Sequence, residues 1–238
     1  MGDRHRGGLE PVGIALVALF VTALVTAQLL AVKIVPVGLP TGLPVVGAEI
    51  LVPAGVIAYA VTFLATDCLT ELYGHRQAAV VVNLGFGMVL VLLALVWAAI
   101  LVPAHPAGVE GAAFAAVMAP STNIVLGGLL AYLVSQNWDV FTFARIRQYT
   151  GRRHLWLRNL GSTLSSQFID TVVFITVAFL VAPTLFGIGQ ALPTDVIIGL
   201  IAGQYLVKLA IAVIDTPVVY LITGAIRRRE APSQGVLQ

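Results

Sequence analysis

The sequence predicts an all-α membrane protein, a bundle of six transmembrane helices with both termini cytoplasmic. Three observations lead there. Across 238 residues the hydrophobic share is 59% and the charged share 10%, with a mean hydropathy of +0.98; a soluble domain carries about 25% charged residues. The apolar residues gather into six runs of about the 20-residue length that lets a helix cross the hydrocarbon core, whereas a β-barrel would show weaker alternation. Eleven of the thirteen Lys and Arg residues, all but Lys33 and Lys208, fall on one side of the alternating path. By the positive-inside rule that side is the cytoplasm.

Taken in order, residues 1–10 form a cytoplasmic N-terminus carrying Arg4 and Arg6. The first span lies near 11–32. Val25-Thr26-Ala27 is a weak small-residue cleavage signal, but the apolar run exceeds a signal-peptide core and its loss would spoil the even count of spans. It is read as a retained helix, with Gln28 inside it and Lys33 near its outer end. The Pro/Gly-rich stretch 36–47 reads as an external loop. The second span, 48–66, runs into Asp67 and Glu71, one turn apart, with Tyr59 and Phe63 on the same i+4 ladder. The third lies near 78–102. The fourth, 115–136, contains Pro120, which either kinks it or marks its start. The fifth, 158–182, and sixth, 194–223, complete a transmembrane unit over 11–223. Residues 224–238 read as a basic, disordered cytoplasmic tail.

The most unusual segment is NLGSTLSSQFID, residues 159–170. Asn159, Ser162, Thr163, Ser166, Gln167 and Asp170 recur at helical spacing and fall within an arc of roughly 140° at 100° per residue. Lipid rejects such a face, so it should look at protein, water or a solute. Intramembrane ionisable groups are rare and usually functional, which points to transport. On the sixth span Gln204, Lys208 and Asp215 share an arc of roughly 40°. Gln28, Gln167, Asp170 and Lys208 belong to the middle and outer half of the bundle; Asp67, Glu71, Asn159 and Asp215 lie towards the cytoplasm. A buried Lys and Asp should pair. Lys208 can reach Asp170 across helices or Asp215 along its own, and the spacing does not choose.

Plainer roles compete at several positions. Ser162, Thr163 and Ser166 suit close helix packing. A salt bridge to Arg76 or Arg158 would explain Asp67 and Glu71, and Lys33 can snorkel to the outer head groups. Trp138 and Trp156 fit an interfacial aromatic belt. His75, His105 and His154 lie outside the spans without ligand spacing, and Cys68 is the single cysteine, so neither a metal site nor a disulfide is expected. The net charge of +2 does not indicate nucleic-acid binding.

Five ordered strings carry a family resemblance: QLLAVKIV (28–35), TDCLTELYG (66–74), LLAYLVSQNWDVFTF (129–143), LWLRNLGSTLSSQFIDTVVFITVAF (155–179) and KLAIAVIDTPVVYL (208–221). They resemble the queuosine-precursor transporter family, also called the vitamin uptake transporter family. It is related to the substrate-binding S-components of energy-coupling-factor transporters. The resemblance implies a six-helix carrier that imports 7-deazaguanine precursors of queuosine and archaeosine, such as preQ0 and preQ1. Matching positions include Lys33, Asp67, Glu71, Asn159, Ser162, Gln167, Asp170, Lys208 and Asp215. Gln28 departs from the family's usual Asn, and Asn123 from its frequent Arg.

Such a ligand presents adjacent N–H donors, which a carboxylate such as Asp170 or Glu71 could accept. Its carbonyl would suit Gln167, Gln28 or Lys208, and its flat face a ring such as Tyr59, Phe63 or Tyr205. The chain has no GxxxxGK[ST] run. It would act alone, by facilitated diffusion or with proton coupling through Asp170 or Asp67, or it would borrow an energy-coupling module. A homodimer is a further expectation for a small carrier. No cofactor is expected. The enzyme alternative, an intramembrane hydrolase using Asp67, Asp170 and Asp215, finds no GxGD, GxSxG or HExxH string. A second rival is a non-catalytic subunit docking a partner through the Arg-rich 145–158 loop.

Overall fold

A computed structural model describes residues 11–43, 47–150 and 155–230. Helix α1 (Pro11–Leu30) leads into an antiparallel hairpin, β1 (Ile34–Leu43) and β2 (Gly47–Pro53). Then follow α2 (Val56–Tyr73), α3 (His75–Leu101), the short α4 (Gly111–Met118), α5 (Ser121–Thr150) and α6 (Leu155–Thr176). A π-helical turn (Val177–Val181), α7 (Ala182–Phe186) and α8 (Thr194–Glu230) complete the described chain. Six stretches are long and apolar enough to span a membrane: α1, α2, α3, Gly111–Ile146, Leu160–Phe186 and Thr194–Arg228. Large apolar side chains cover their outer faces, with Ile57, Leu101 and Leu221 more than 70% exposed. In water such a surface would aggregate; facing lipid, it is in its own solvent. The six-helix membrane bundle is therefore as the hydropathy predicts.

Three local features depart from the hydropathy reading, and at Pro120 the break open to the fourth span is present. Within the 36–47 stretch, residues 36–43 and 47 are strand and not loop. Its register sets Val35 against Val52 and Val37 against Ile50, with an irregularity between Gly38 and Leu43. The pattern is masked by Pro36, which an edge strand tolerates, while Ile50 and Val52 bury at 3% and 1% exposure. The fourth span is broken at Ala119-Pro120, because proline has no N–H to donate and its ring crowds the preceding turn. Ser121 Oγ donates to Met118 O at 2.6 Å across the break, and Trp97 Nε1 donates to Thr122 Oγ1 at 3.0 Å, tying α3 to α5.

The fifth span passes through the π turn just before Pro183. Without an N–H on Pro183, Phe179 O lacks its usual α-helical donor and instead accepts Leu192 N at 2.9 Å. Finally, α8 continues to Glu230, seven residues into the stretch read as a disordered tail. Residues 1–10 and 231–238 lie outside the described residues.

Two apolar clusters organise the interior. One joins α5, α6, the π turn and α8 around Ile124, Ile175 and Leu200; the other joins α1, α2, α3 and α5 around Leu24, Leu69 and Val81. Close backbone approach holds the hairpin to the first of these. A Cβ added to Gly203 would stand 2.2 Å from Leu51 O, so only glycine lets β2 lie on α8. Between the two clusters the bundle is hollow.

Candidate substrate-binding site

The hollow is a cavity of about 240 Å³. Most of its polar wall comes from helical repeats on three elements. On α2 they are Tyr59, Thr62, Phe63 and Thr66; on α5, Gly128, Ala131, Tyr132, Ser135 and Gln136; on α8, Gln204 and Lys208. Each set recurs at three- and four-residue steps, which is one face of a helix. Gln167 and Asp170 of α6 close the ring, and Pro53 and Gly55 carry the wall to the foot of the hairpin.

Lys208 and Asp170 form an ion pair inside this chamber, Nζ to Oδ2 2.6 Å, with side chains 10% and 25% exposed. Of the two pairings open to Lys208, the inter-helix one is formed. The Ser135 hydroxyl stands 3.3 Å from both Asp170 Oδ1 and Tyr132 O, placed to donate to either. The Tyr59 hydroxyl lies near the Gln28 amide and in electrostatic range of Asp170. Thr62 and Thr66 turn their hydroxyls onto backbone carbonyls of α2, Thr62 Oγ1 to Tyr59 O at 2.7 Å and Thr66 Oγ1 to Thr62 O at 2.9 Å. Aromatic rings supply the flat walls: Phe86 and Tyr132 lie 4.3 Å apart between centroids, and Tyr59 and Phe63 6.1 Å.

Of the candidates read from sequence, Tyr59, Phe63, Gln167, Asp170 and Lys208 line the cavity. Gln28 stands behind Tyr59, 4% exposed. The others are elsewhere. Lys33 is exposed beyond the end of α1, where its carbonyl accepts Ala54 N at 2.7 Å. Ser162 is buried at 2% exposure outside the cavity wall. Asp67 and Asp215 lie close enough to interact electrostatically, off the cavity wall. Glu71 pairs with Arg227, Oε1 to Nη2 2.8 Å, and not with Arg76. Tyr205 donates to Leu164 O at 3.2 Å and packs edge-on against Phe168, away from the chamber. The side chains of Asn159, Trp156 and Arg158 lie outside the described residues.

Sequence reasoning passed over Phe86, Tyr132 and Ser135. The signal was present: Gly128, Ala131, Tyr132, Ser135 and Gln136 step at 0, 3, 4, 7 and 8 along α5, the same periodicity used for α6. No charge drew attention to it.

A multi-pass helix bundle enclosing a small chamber, with flat aromatic walls and an internal ion pair, has the build of a small-molecule membrane transporter. Residues 53–222 match a family model described as "Putative vitamin uptake transporter". The chain belongs to this vitamin uptake transporter family and is a multi-pass membrane transporter. It is 35% identical over 180 residues, 75% of this chain and 75% of the relative, to the "Probable queuosine precursor transporter" of Bacillus subtilis (strain 168). No solved structure matches the chain. The matched range begins at Pro53 and takes in every cavity-lining side chain from α2 to α8.

Proposed function

We propose that the protein imports queuosine precursors, 7-deazaguanine bases of the preQ0 and preQ1 type, through the central cavity. The observation that carries this reading is the Lys208–Asp170 pair set in an aromatic-walled space. The volume of about 240 Å³ falls just under the roughly 300–1,000 Å³ of common ligand sites, which favours one flat heterocycle over a nucleotide. The similarity to a queuosine precursor transporter supports the same substrate class.

The chemistry follows from what each side chain has left to offer. An ammonium has three N–H donors, so Lys208 can hold Asp170 and still donate to a ligand carbonyl. A carboxylate has about four acceptor positions; with Lys208 and Ser135 as neighbours, Asp170 keeps capacity for a ring N–H. Gln167 adds an amide, and Phe86, Tyr132, Tyr59 and Phe63 offer faces for stacking. Binding therefore relies on a carbonyl-and-donor edge plus a planar face. The charge bias of the loops orients both termini to the cytoplasm, so import runs from the hairpin end towards the Asp67–Asp215 end.

The test is uptake of radiolabelled preQ0 and preQ1 into proteoliposomes holding only this chain, with an unrelated vitamin as control. Uptake of a deazapurine but not of the control is expected. Binding without uptake, restored by an added energy-coupling ATPase module, would identify a substrate-binding subunit. Absence of deazapurine binding sinks the reading.

A further inference from the structure

Among the described residues three buried side-chain oxygens have no hydrogen-bond partner: Asn123 Oδ1, Gln204 Oε1 and Asp215 Oδ2. Of these residues only Gln204 lines the cavity. The residue is 8% exposed, and a buried carbonyl without a donor is disfavoured. Such an orphan on a residue of the cavity wall is best explained by a donor that arrives with the ligand. Other polar groups of the wall are engaged, Asp170 with Lys208 and Thr62 and Thr66 with α2 carbonyls, while Gln136 and Gln167 keep amides for the ligand.

Position adds a second constraint. Gln204 precedes Lys208 by four residues on α8, and such residues are neighbours on one face, about 5–6 Å apart at Cβ. The helix therefore brings to the cavity wall an amide and a cationic donor one turn apart, with the Asp170 carboxylate beside the donor. A guanine-like edge carries the complementary order: a carbonyl acceptor, a ring N–H, then an exocyclic amino group. Hypoxanthine-like bases lack the amino group, and adenine-like bases replace the carbonyl with a donor.

We propose that Gln204 is the specificity-determining residue of the site, its Oε1 accepting the exocyclic amino group of the base while Lys208 and Asp170 meet the carbonyl and ring N–H. This rests on the deazapurine reading above and deepens it: selection is for a 2-amino edge, not for a deazapurine in general. A site built around a ligand N–H rejects the analogue lacking it, because its own acceptor is then left unpaired.

The experiment is titration of purified full-length protein with 7-deazaguanine and with 7-deazahypoxanthine, which differ only in that amino group. Wild type should bind 7-deazaguanine at least about tenfold more tightly, the factor equivalent to 1.4 kcal/mol. Gln204→Met, similar in length but without an acceptor, should bring the two affinities together. Gln204→Glu, which keeps an acceptor, should retain the preference. A thermal melt of each variant reports folding, and because the readout is a ratio of two ligands, a general loss of affinity does not mimic it. A tenfold preference surviving in Gln204→Met overturns the proposal while leaving the substrate reading intact. Wild type binding neither base overturns both.

Discussion

Lys208 Nζ lies 2.6 Å from Asp170 Oδ2, joining α8 to α6 across the interior of the bundle. Neither group would be stable there alone. Removing one partner of a buried pair typically costs about 3–5 kcal/mol, chiefly because the other charge is left uncompensated. The pair also lines the chamber, so it links the stability of the α6–α8 contact to the chemistry of the site.

A double-mutant cycle separates the two roles. Asp170→Asn and Lys208→Met should each lower the thermal midpoint and abolish deazapurine binding. The double variant, with no orphaned charge, should recover most of the lost stability while remaining unable to bind. Melts and ligand titrations on the four proteins read both outcomes. Additive destabilisation in the double variant would show that the two side chains are not coupled.

Gly203 gives an independent test of how the hairpin is seated. An added methyl would stand 2.2 Å from Leu51 O, a backbone atom that cannot swing aside. Gly203→Ala should destabilise by about 1–3 kcal/mol through overpacking. Gly87→Ala on α3, where nothing lies within 4 Å, should be neutral or slightly stabilising, since alanine is the better helix former. Equal melting of the two variants would contradict the β2–α8 packing.

How far the sequence could be read follows from which force each feature obeys. The six spans were legible because burial in lipid acts on every residue of a run of about 20. The α6 stripe was legible because Asp170 and Gln167 are conspicuous against apolar neighbours. The hairpin was hidden because Pro36 and the glycines of 38–47 report turn chemistry, while pairing between Val35 and Val52 is a contact across sequence. The partners of Lys208 and Glu71 were not legible for the same reason. Choosing Asp170 over Asp215, and Arg227 over Arg76, depends on how α8 is rotated and placed against α6 and α2, which packing decides.

Glu71 and Arg227 provide the contrast to the interior pair. They are 2.8 Å apart, but their side chains are 43% and 57% exposed, and such pairs contribute about 0–1 kcal/mol. Arg227→Ala should therefore shift the melting temperature little, and because Glu71 lies off the cavity wall, ligand affinity should stay within about twofold. A tenfold loss of affinity in Glu71→Gln would return Glu71 to the site.

Asp67 of α2 and Asp215 of α8 lie close enough to interact electrostatically, and the buried Asp215 Oδ2 has no hydrogen-bond partner among the described residues. Asp215→Asn supplies a permanent N–H donor in the same shape. The variant should melt no lower than wild type, whereas Asp215→Leu, which removes the partner altogether, should melt lower. The reverse order would mean that the two side chains do not meet.

Tyr132 was invisible to a search for charge, and its ring sits 4.3 Å from Phe86 on the cavity wall. A flat ligand gains from lying against such a surface; base–aromatic stacking is worth about 1–3 kcal/mol by alanine substitution in single-stranded nucleic-acid sites. Tyr132→Ala should therefore weaken deazapurine binding by about tenfold or more. Tyr132→Phe, which keeps the ring and removes only the hydroxyl, should hold affinity near the wild-type value. The comparison isolates the face of the ring from its polar end, because Phe and Ala both lack the hydroxyl. If Phe is as damaging as Ala, the hydroxyl is the recognition element and the flat-wall account of this cavity fails.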